Sequence, residues 1–372
     1  MSADVFPPKY AFDGYADEAL EKAVGLRFVE PERKKMNRLQ DELGRIASSF
    51  GGNAPDINTP RKGLLSERLS DHQKNVLNAV LWPTYAETYA EQQNSLLDTI
   101  IGETNEKMVE LFKVLWGREA WFTYSKVPIH PACGPYANRQ RIFFMRREVA
   151  HNVASVFRAL NSADLMAHLE DCWRPPEVQE GLFIRRVIEV ARWNPSWPWE
   201  RVKMVASSLT APAPGFAGHQ AGAAVDWVIR KKTQDQDFLD SGVVYPEGSA
   251  VSCERFPYLT FEQFRTRVIF LFCAGMGGFK TLPTESWHIS LGDRGMVEGK
   301  VPLKRAVYGP IKSFNRDTGE VDPYPAGRLN NWFLNDQEIS SLVALSRRMK
   351  DEHSFALDMD GMLERFSVLR HK

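Results

Sequence analysis

Residues 214–229 read PGFAGHQAGAAVDWVI. Pro214 and Gly215 mark a turn, and His219 follows directly on it. Gly222, Ala223 and Ala224 are small enough for close backbone approach, and Val225, Trp227, Val228 and Ile229 then continue as an apolar run. The stretch therefore predicts a turn opening into a short buried strand over residues 223–229, with Asp226 inside it. Residues 286–291 are a second β-like piece, introduced by the tetrapeptide ESWH at 285–288. Both stand among helical segments instead of alternating strictly with them. The expected fold class is thus α+β, a small antiparallel sheet with flanking helices.

The helices are marked by periodicity and caps. Met36, Leu39, Leu43 and Ile46 recur at helical spacing until Gly51 and Gly52. Ser70 and Gln73 fit a capping box that opens a helix through Val76, Leu77 and Val80, interrupted by Pro83. Met108, Leu111, Phe112 and Leu115 form an amphipathic stretch ending at Gly117, so residues 1–125 read as a mostly helical extension. Met145, Val149, Val153, Val156 and Leu160 mark a helix, and Pro175-Pro176 starts another that reaches toward Trp193. Thr260 and Gln263 open a further helix, stopped near Gly275, Gly277 and Gly278. Residues 126–300 then make the central domain, and residues 301–372 a tail packed on it. That tail holds a turn at Asn315-Arg316-Asp317-Thr318-Gly319 and a helix around residues 339–349. The run Asp358-Met359-Asp360-Gly361 lacks the remaining ligands of a calcium loop.

Chemistry concentrates at four residues. His219, Asp226 and His288 are three side chains able to bind zinc, and Glu285 is a spare carboxylate beside one of them. A catalytic zinc site has three protein ligands and an open fourth position, and a nearby carboxylate can act as the base for water. Each residue alone has a plainer reading: His219 as an ordinary hydrogen-bonded histidine, Glu285 as a strand end beside Trp287. The joint pattern outweighs these. One tension remains, because in a regular strand Glu285 and His288 point to opposite faces. Pro283 argues that Glu285 sits in a loop or bulge, with the strand starting near Trp287.

The segments PGFAGHQAGAAVD and ESWH, preceded by Asp171-Cys172-Trp173-Arg174-Pro175, resemble the zinc metallopeptidase family of D-Ala-D-Ala dipeptidases and D,D-carboxypeptidases. The likeness spans roughly residues 136–292 and keeps the family's motif order. It implies that His219, Asp226 and His288 hold zinc and that Glu285 moves the proton from water to the leaving amine. It also implies that Arg174 faces the developing oxyanion, for which its permanent charge and fork of donors are suited. The plainer reading of Arg174 is a salt bridge with Asp171 or Glu177.

Two departures concern the substrate. Ala217 stands where the family commonly has a substrate-holding serine. In the stretch Ser241-Gly242-Val243-Val244-Tyr245-Pro246-Glu247, proline falls where the family's dipeptidases place an aspartate for the substrate amine. Glu247 could replace it with a shift of one residue, and Asp171 is the other candidate substrate-binding carboxylate.

Lys plus Arg and Asp plus Glu both number 47 in 372 residues, so no basic excess points to nucleic acid. The runs Arg230-Lys231-Lys232 and Arg347-Arg348 read as solvated faces. No apolar run approaches a membrane span, residues 268–274 being too short. The start MSADVFPPKY lacks the apolar core of a secretory signal. Cys133, Cys172, Cys253 and Cys273 form no C-x-x-C pair, so free thiols and a cytoplasmic location are expected. The expectation is a zinc-dependent hydrolase of an amide in a small peptide. Its rivals are a relative repurposed for another small amide or biosynthetic intermediate, and a non-catalytic zinc-stabilised binding protein. The helical extension would cover the catalytic domain, build a homo-oligomer, or wall the substrate pocket.

Overall fold

A computed structural model describes residues 25, 28–29, 31–54, 56–57, 64–65, 69–70, 73, 77, 99–127, 140–233, 235, 237–246, 250–254, 256, 258–282, 284–294, 305–325, 329 and 331–348. Glu247, Pro283, Cys133, the run 358–361 and most of the helix opened at Ser70 lie outside the described residues. The fold is mixed α/β, with seven helices and several small sheets among the described residues. The helices are α1 (Arg33–Ser49), α2 (Leu111–Gly117), α3 (Arg147–Asn161), α4 (Pro176–Trp193), α5 (Trp199–Leu209), α6 (Phe261–Met276) and α7 (Asp336–Arg348).

Local chemistry accounts for several ends. The Thr260 hydroxyl accepts from the Gln263 amide at 3.3 Å, and the Gln263 side chain accepts from the Thr260 amide at 3.0 Å. This reciprocal cap opens α6, and Gly277 closes it. The Ser70 and Gln73 pair makes the same exchange at 3.2 and 2.8 Å. Pro176 at the first position of α4 loses no helical hydrogen bond, since its missing N–H would be an orphan anyway.

The largest sheet contains β1 (Phe122–Tyr124), β2 (Leu165–Asp171), β3 (Ala224–Lys231), β4 (Lys280–Leu282) and β5 (Glu285–Ser290), in spatial order β1-β2-β3-β5-β4. The pairs β2–β3, β3–β5 and β5–β4 are antiparallel, but β1 runs parallel to β2. The sheet is therefore mixed, not purely antiparallel. Its parallel edge comes from residues 122–124, inside the segment read as mostly helical. Further short strands occur in that segment at Ile100–Ile101 and Met108–Glu110, so the stretch 108–117 is a strand followed by α2. Met145 likewise lies in a strand, Phe144–Arg146, that pairs with Met108–Glu110 before α3 begins. The turn at residues 315–319 joins the antiparallel strands Ile311–Phe314 and Val321–Pro323.

Alternation along the strands separates core from site. Val225, Trp227 and Ile229 of β3, with Ile289 of β5, enter the core formed with α1, α2, α3 and α6. Trp227 lies 5.5 Å from the Phe157 ring and 4.5 Å from the Phe270 ring. Burial of each such aromatic contributes about 1.5–3 kcal/mol. Asp226 and His288 point to the other face by the period of two. A second core joins α4, α5 and α7 through Val187, Val202 and Leu342, so residues 336–348 pack on the helices beside the site. None of the helices searched is long and apolar enough to cross a membrane. Cys172, Cys253 and Cys273 are free and buried.

Candidate metal centre

Three strands align the site. His288 of β5 lies opposite Asp226 of β3, and Asp226 lies opposite Asp171 of β2. Leu165, Ala167 and Leu169 belong to the core, so simple alternation would send Asp171 there too. A register shift between Leu169 and Asp171 breaks that parity. A larger irregularity serves Glu285. Between Glu285 and Ile289, four steps along β5 oppose one step along β4, from Leu282 to Thr281. The strand begins at Glu285, earlier than Trp287, and this bulge lets Glu285 and His288 approach the same point. Glu285 Oε2 lies 3.7 Å from His288 Nδ1.

His219 is carried by the turn before β3. Gly222, at φ +70°, occupies the left-handed region, where a side chain would also meet the Met108 thioether at 2.6 Å. Gly218 passes so close to Asp293 that a Cβ would fall 2.3 Å from its carboxylate oxygen. The imidazole that follows is 4% exposed. Its Nδ1 donates to the carbonyl of Cys172 at 2.5 Å, which turns Nε2 toward the site.

Nε2 meets two other candidate ligand atoms there. His219 Nε2 lies 3.2 Å from Asp226 Oδ1 and 3.2 Å from His288 Nδ1, and the last two are 2.9 Å apart. Zinc held tetrahedrally at about 2.0–2.1 Å sets its ligand atoms about 3.3 Å apart. The buried group His219, Asp226 and His288 could therefore hold a metal ion without rearrangement of more than a few tenths of an ångström. Burial alone would raise the Asp226 pKa, but the charges and hydrogen bonds of His219 and His288 outweigh it and hold it well below the carboxylate range. Burial works against a charged His288, yet Asp226 and Glu285 raise its pKa. Glu285 is pushed up by burial and then by the Asp226 charge, the direction a general base near neutrality needs.

The other oxygen of Asp226 is held from behind. Oδ2 accepts from Arg174 Nη2 at 2.9 Å and from the Tyr245 hydroxyl at 3.2 Å. Arg174 also donates from Nε to Asp171 Oδ2 at 2.8 Å and from Nη1 to Gln179 at 3.3 Å. Burial would lower its pKa, but Asp171, Tyr245 and Asp226 raise it, so the guanidinium stays charged. The salt bridge with Asp171 and a place beside the candidate metal ligands are thus both present. Asp171, 1% exposed, stands behind Arg174, and its Oδ1 also accepts from the Cys172 amide at 2.9 Å.

A cleft opens over this centre. Arg174, His219, Asp226, Glu285 and His288 line it, joined by Ala217, Tyr245 and Trp287. Tyr245 packs edge-on against Trp287 at 5.5 Å, and burial with the neighbouring carboxylates keeps its phenol protonated. Sequence reasoning did not single out Tyr245 or Gln179 as site residues. For Tyr245 the only signal was its place beside Pro246, in the stretch compared with the family's recognition run. No family model and no curated protein matches the chain.

Proposed function

We propose that the protein is a zinc-dependent hydrolase that cleaves an amide bond in a small peptide, by a mechanism like that of the D-Ala-D-Ala dipeptidases. The observation that carries this reading is the convergence of three candidate ligand atoms at 2.9–3.2 Å, with Glu285 3.7 Å from His288 on the cleft side. A binding protein stabilised by zinc needs the three ligands but has no use for a further carboxylate, Glu285, beside them in the cleft.

Zinc, when bound, supplies a Lewis acid that brings the pKa of water down to about 7. Glu285 takes the proton from the attacking water as the C–O bond forms, then delivers it to the nitrogen as the C–N bond breaks. The products are a carboxylic acid and an amine, and the carboxylate is restored. His219 is kept in one tautomer by the Cys172 carbonyl, and Asp226 is kept in one orientation by Arg174 and Tyr245. Arg174 also lines the cleft, where its remaining donor capacity can face charge developing on the carbonyl oxygen.

Ala217 favours a second reading within the same chemistry. It is 6% exposed on the cleft wall and offers no donor where a substrate-holding hydroxyl would stand. A different small amide then replaces D-Ala-D-Ala as substrate. The test is release of amine from D-Ala-D-Ala and from a panel of short peptides by zinc-loaded protein beside Glu285→Ala. Activity on D-Ala-D-Ala lost in the variant supports the first reading. Activity only on other amides, again lost in the variant, supports the second.

A further inference from the structure

Gln179, Leu182 and Arg186 all face the cleft from α4, at the spacing of three and four residues that places side chains on one helix face. Gln179 accepts from Arg174, which grips Asp226, so this residue marks the metal end. Arg186 is seven residues further, about 10 Å along the helix at about 1.5 Å per residue.

Its charge is only partly committed. Arg186 Nη1 donates to Glu189 Oε2 at 2.8 Å, while Arg185 Nε donates to Glu189 Oε1 at 2.6 Å. Both arginines thus reach Glu189, one on each carboxylate oxygen. The other guanidinium nitrogens of Arg186 take no hydrogen-bond partner among the described residues, and its side chain is 18% exposed. Arg174, which also lines the cleft, pairs with two buried carboxylates, Asp171 and Asp226. The lining carboxylates Asp226 and Glu285 lie on the sheet and Asp293 just beyond it, while α4 brings none to the cleft.

A planar guanidinium with free donors matches a carboxylate in two-point contact. We propose that Arg186 anchors a carboxylate of the substrate, so that the cleft takes short acidic peptides or peptide-like acids. An extended chain covers about 3.3–3.6 Å per residue, so the rise from Gln179 to Arg186 matches about three residues of a bound peptide. The identity of that bond rests on the hydrolase reading; the anchor itself does not.

Binding to zinc-loaded Glu285→Gln protein, which does not turn over, separates the two. The probes are tri-D-alanine and tri-L-alanine, each as the free acid and as the C-terminal amide, titrated by calorimetry. For at least one enantiomer the acid binds about tenfold or more tightly than its amide. Adding Arg186→Gln removes the difference, and Arg186→Lys retains most of it. Arg185 still pairs Glu189 in these variants, and near-UV circular dichroism checks their fold. Equal binding of acid and amide, no binding of either, or a preference that survives Arg186→Gln overturns the proposal. Absence of hydrolysis by the wild type overturns the functional reading alone.

Discussion

Arg174 holds Asp226 by the oxygen that faces away from the imidazoles: Nη2 reaches Oδ2 at 2.9 Å while Oδ1 faces His219 and His288. The guanidinium thus orients a candidate metal ligand and compensates two buried carboxylates at once. Arg174→Ala leaves Asp171 and Asp226 without that compensation, at a cost of about 3–5 kcal/mol. It also weakens zinc binding about 10–100-fold. Urea unfolding and competition with a chromophoric chelator measure the two effects. An unchanged zinc affinity in a stable variant would show that Arg174 does not orient the ligand.

Tyr245→Phe removes a single hydroxyl from Asp226 Oδ2 and keeps the ring against Trp287. Zinc affinity is expected to fall about tenfold, with unfolding changed by no more than about 1.5 kcal/mol. The same chelator competition reads it. If affinity is untouched and only unfolding shifts, the hydroxyl serves packing alone.

Gly222→Ala tests the turn that delivers His219. Its φ of +70° disfavours a side chain, and the added methyl would meet Met108 at 2.6 Å. Strain of this kind costs about 1–3 kcal/mol. Gly44→Ala, with no atom within 4 Å of the added methyl on α1, is the control and is expected to be neutral or stabilising. Equal thermal midpoints for the two variants would remove the geometric requirement at Gly222.

His168 and Glu170, on β2, give opposed pH dependences. Burial, then Arg230 and Arg141, lowers the His168 pKa to about 4, against about 6.5 when unfolded. Between these values the unfolded chain binds more protons, so the contribution of His168 to stability rises with pH. Burial raises Glu170 to about 7, offset only in part by Arg141, against about 4.3 when unfolded. There the folded chain binds more protons, and stability falls as pH rises. Each gradient amounts to about 3.5 kcal/mol at most across its window. Relative to wild type, His168→Asn loses stability as pH goes from 4.5 to 6.5, and Glu170→Gln gains it. Urea midpoints at the two pH values measure both, and parallel changes in the two variants would contradict the assignment.

Elements with a chemical start signal were legible in the chain. Pro175-Pro176 opens α4, and the Thr260 and Gln263 box opens α6. The short strands were not, because three residues such as Phe122–Tyr124 or Met108–Glu110 are too few to show a period. Apolar residues at 108, 111, 112 and 115 fit a helix throughout, yet Met108 pairs with Arg146 across a ladder that sequence spacing cannot reveal. At the site, residue types and order pointed to His219, Asp226, Glu285 and His288. What set Glu285 beside His288 is a bulge defined by pairing with β4, and what brings Tyr245 to Asp226 is a fold-level approach. The approach of Tyr245 has no local signature; the irregularity at Glu285 had one in Pro283, although its pairing with β4 is a tertiary fact.

Zinc titration of four proteins at neutral pH, with bound metal read by elemental analysis, tests the centre most directly. Wild type and Glu285→Ala each bind one equivalent, whereas His219→Ala and His288→Ala bind none at micromolar zinc. That pattern would establish His219 and His288 as ligands and leave Glu285 free to act as the base. A folded wild type that takes up no zinc, or a His288→Ala protein that still binds one equivalent, would contradict the account.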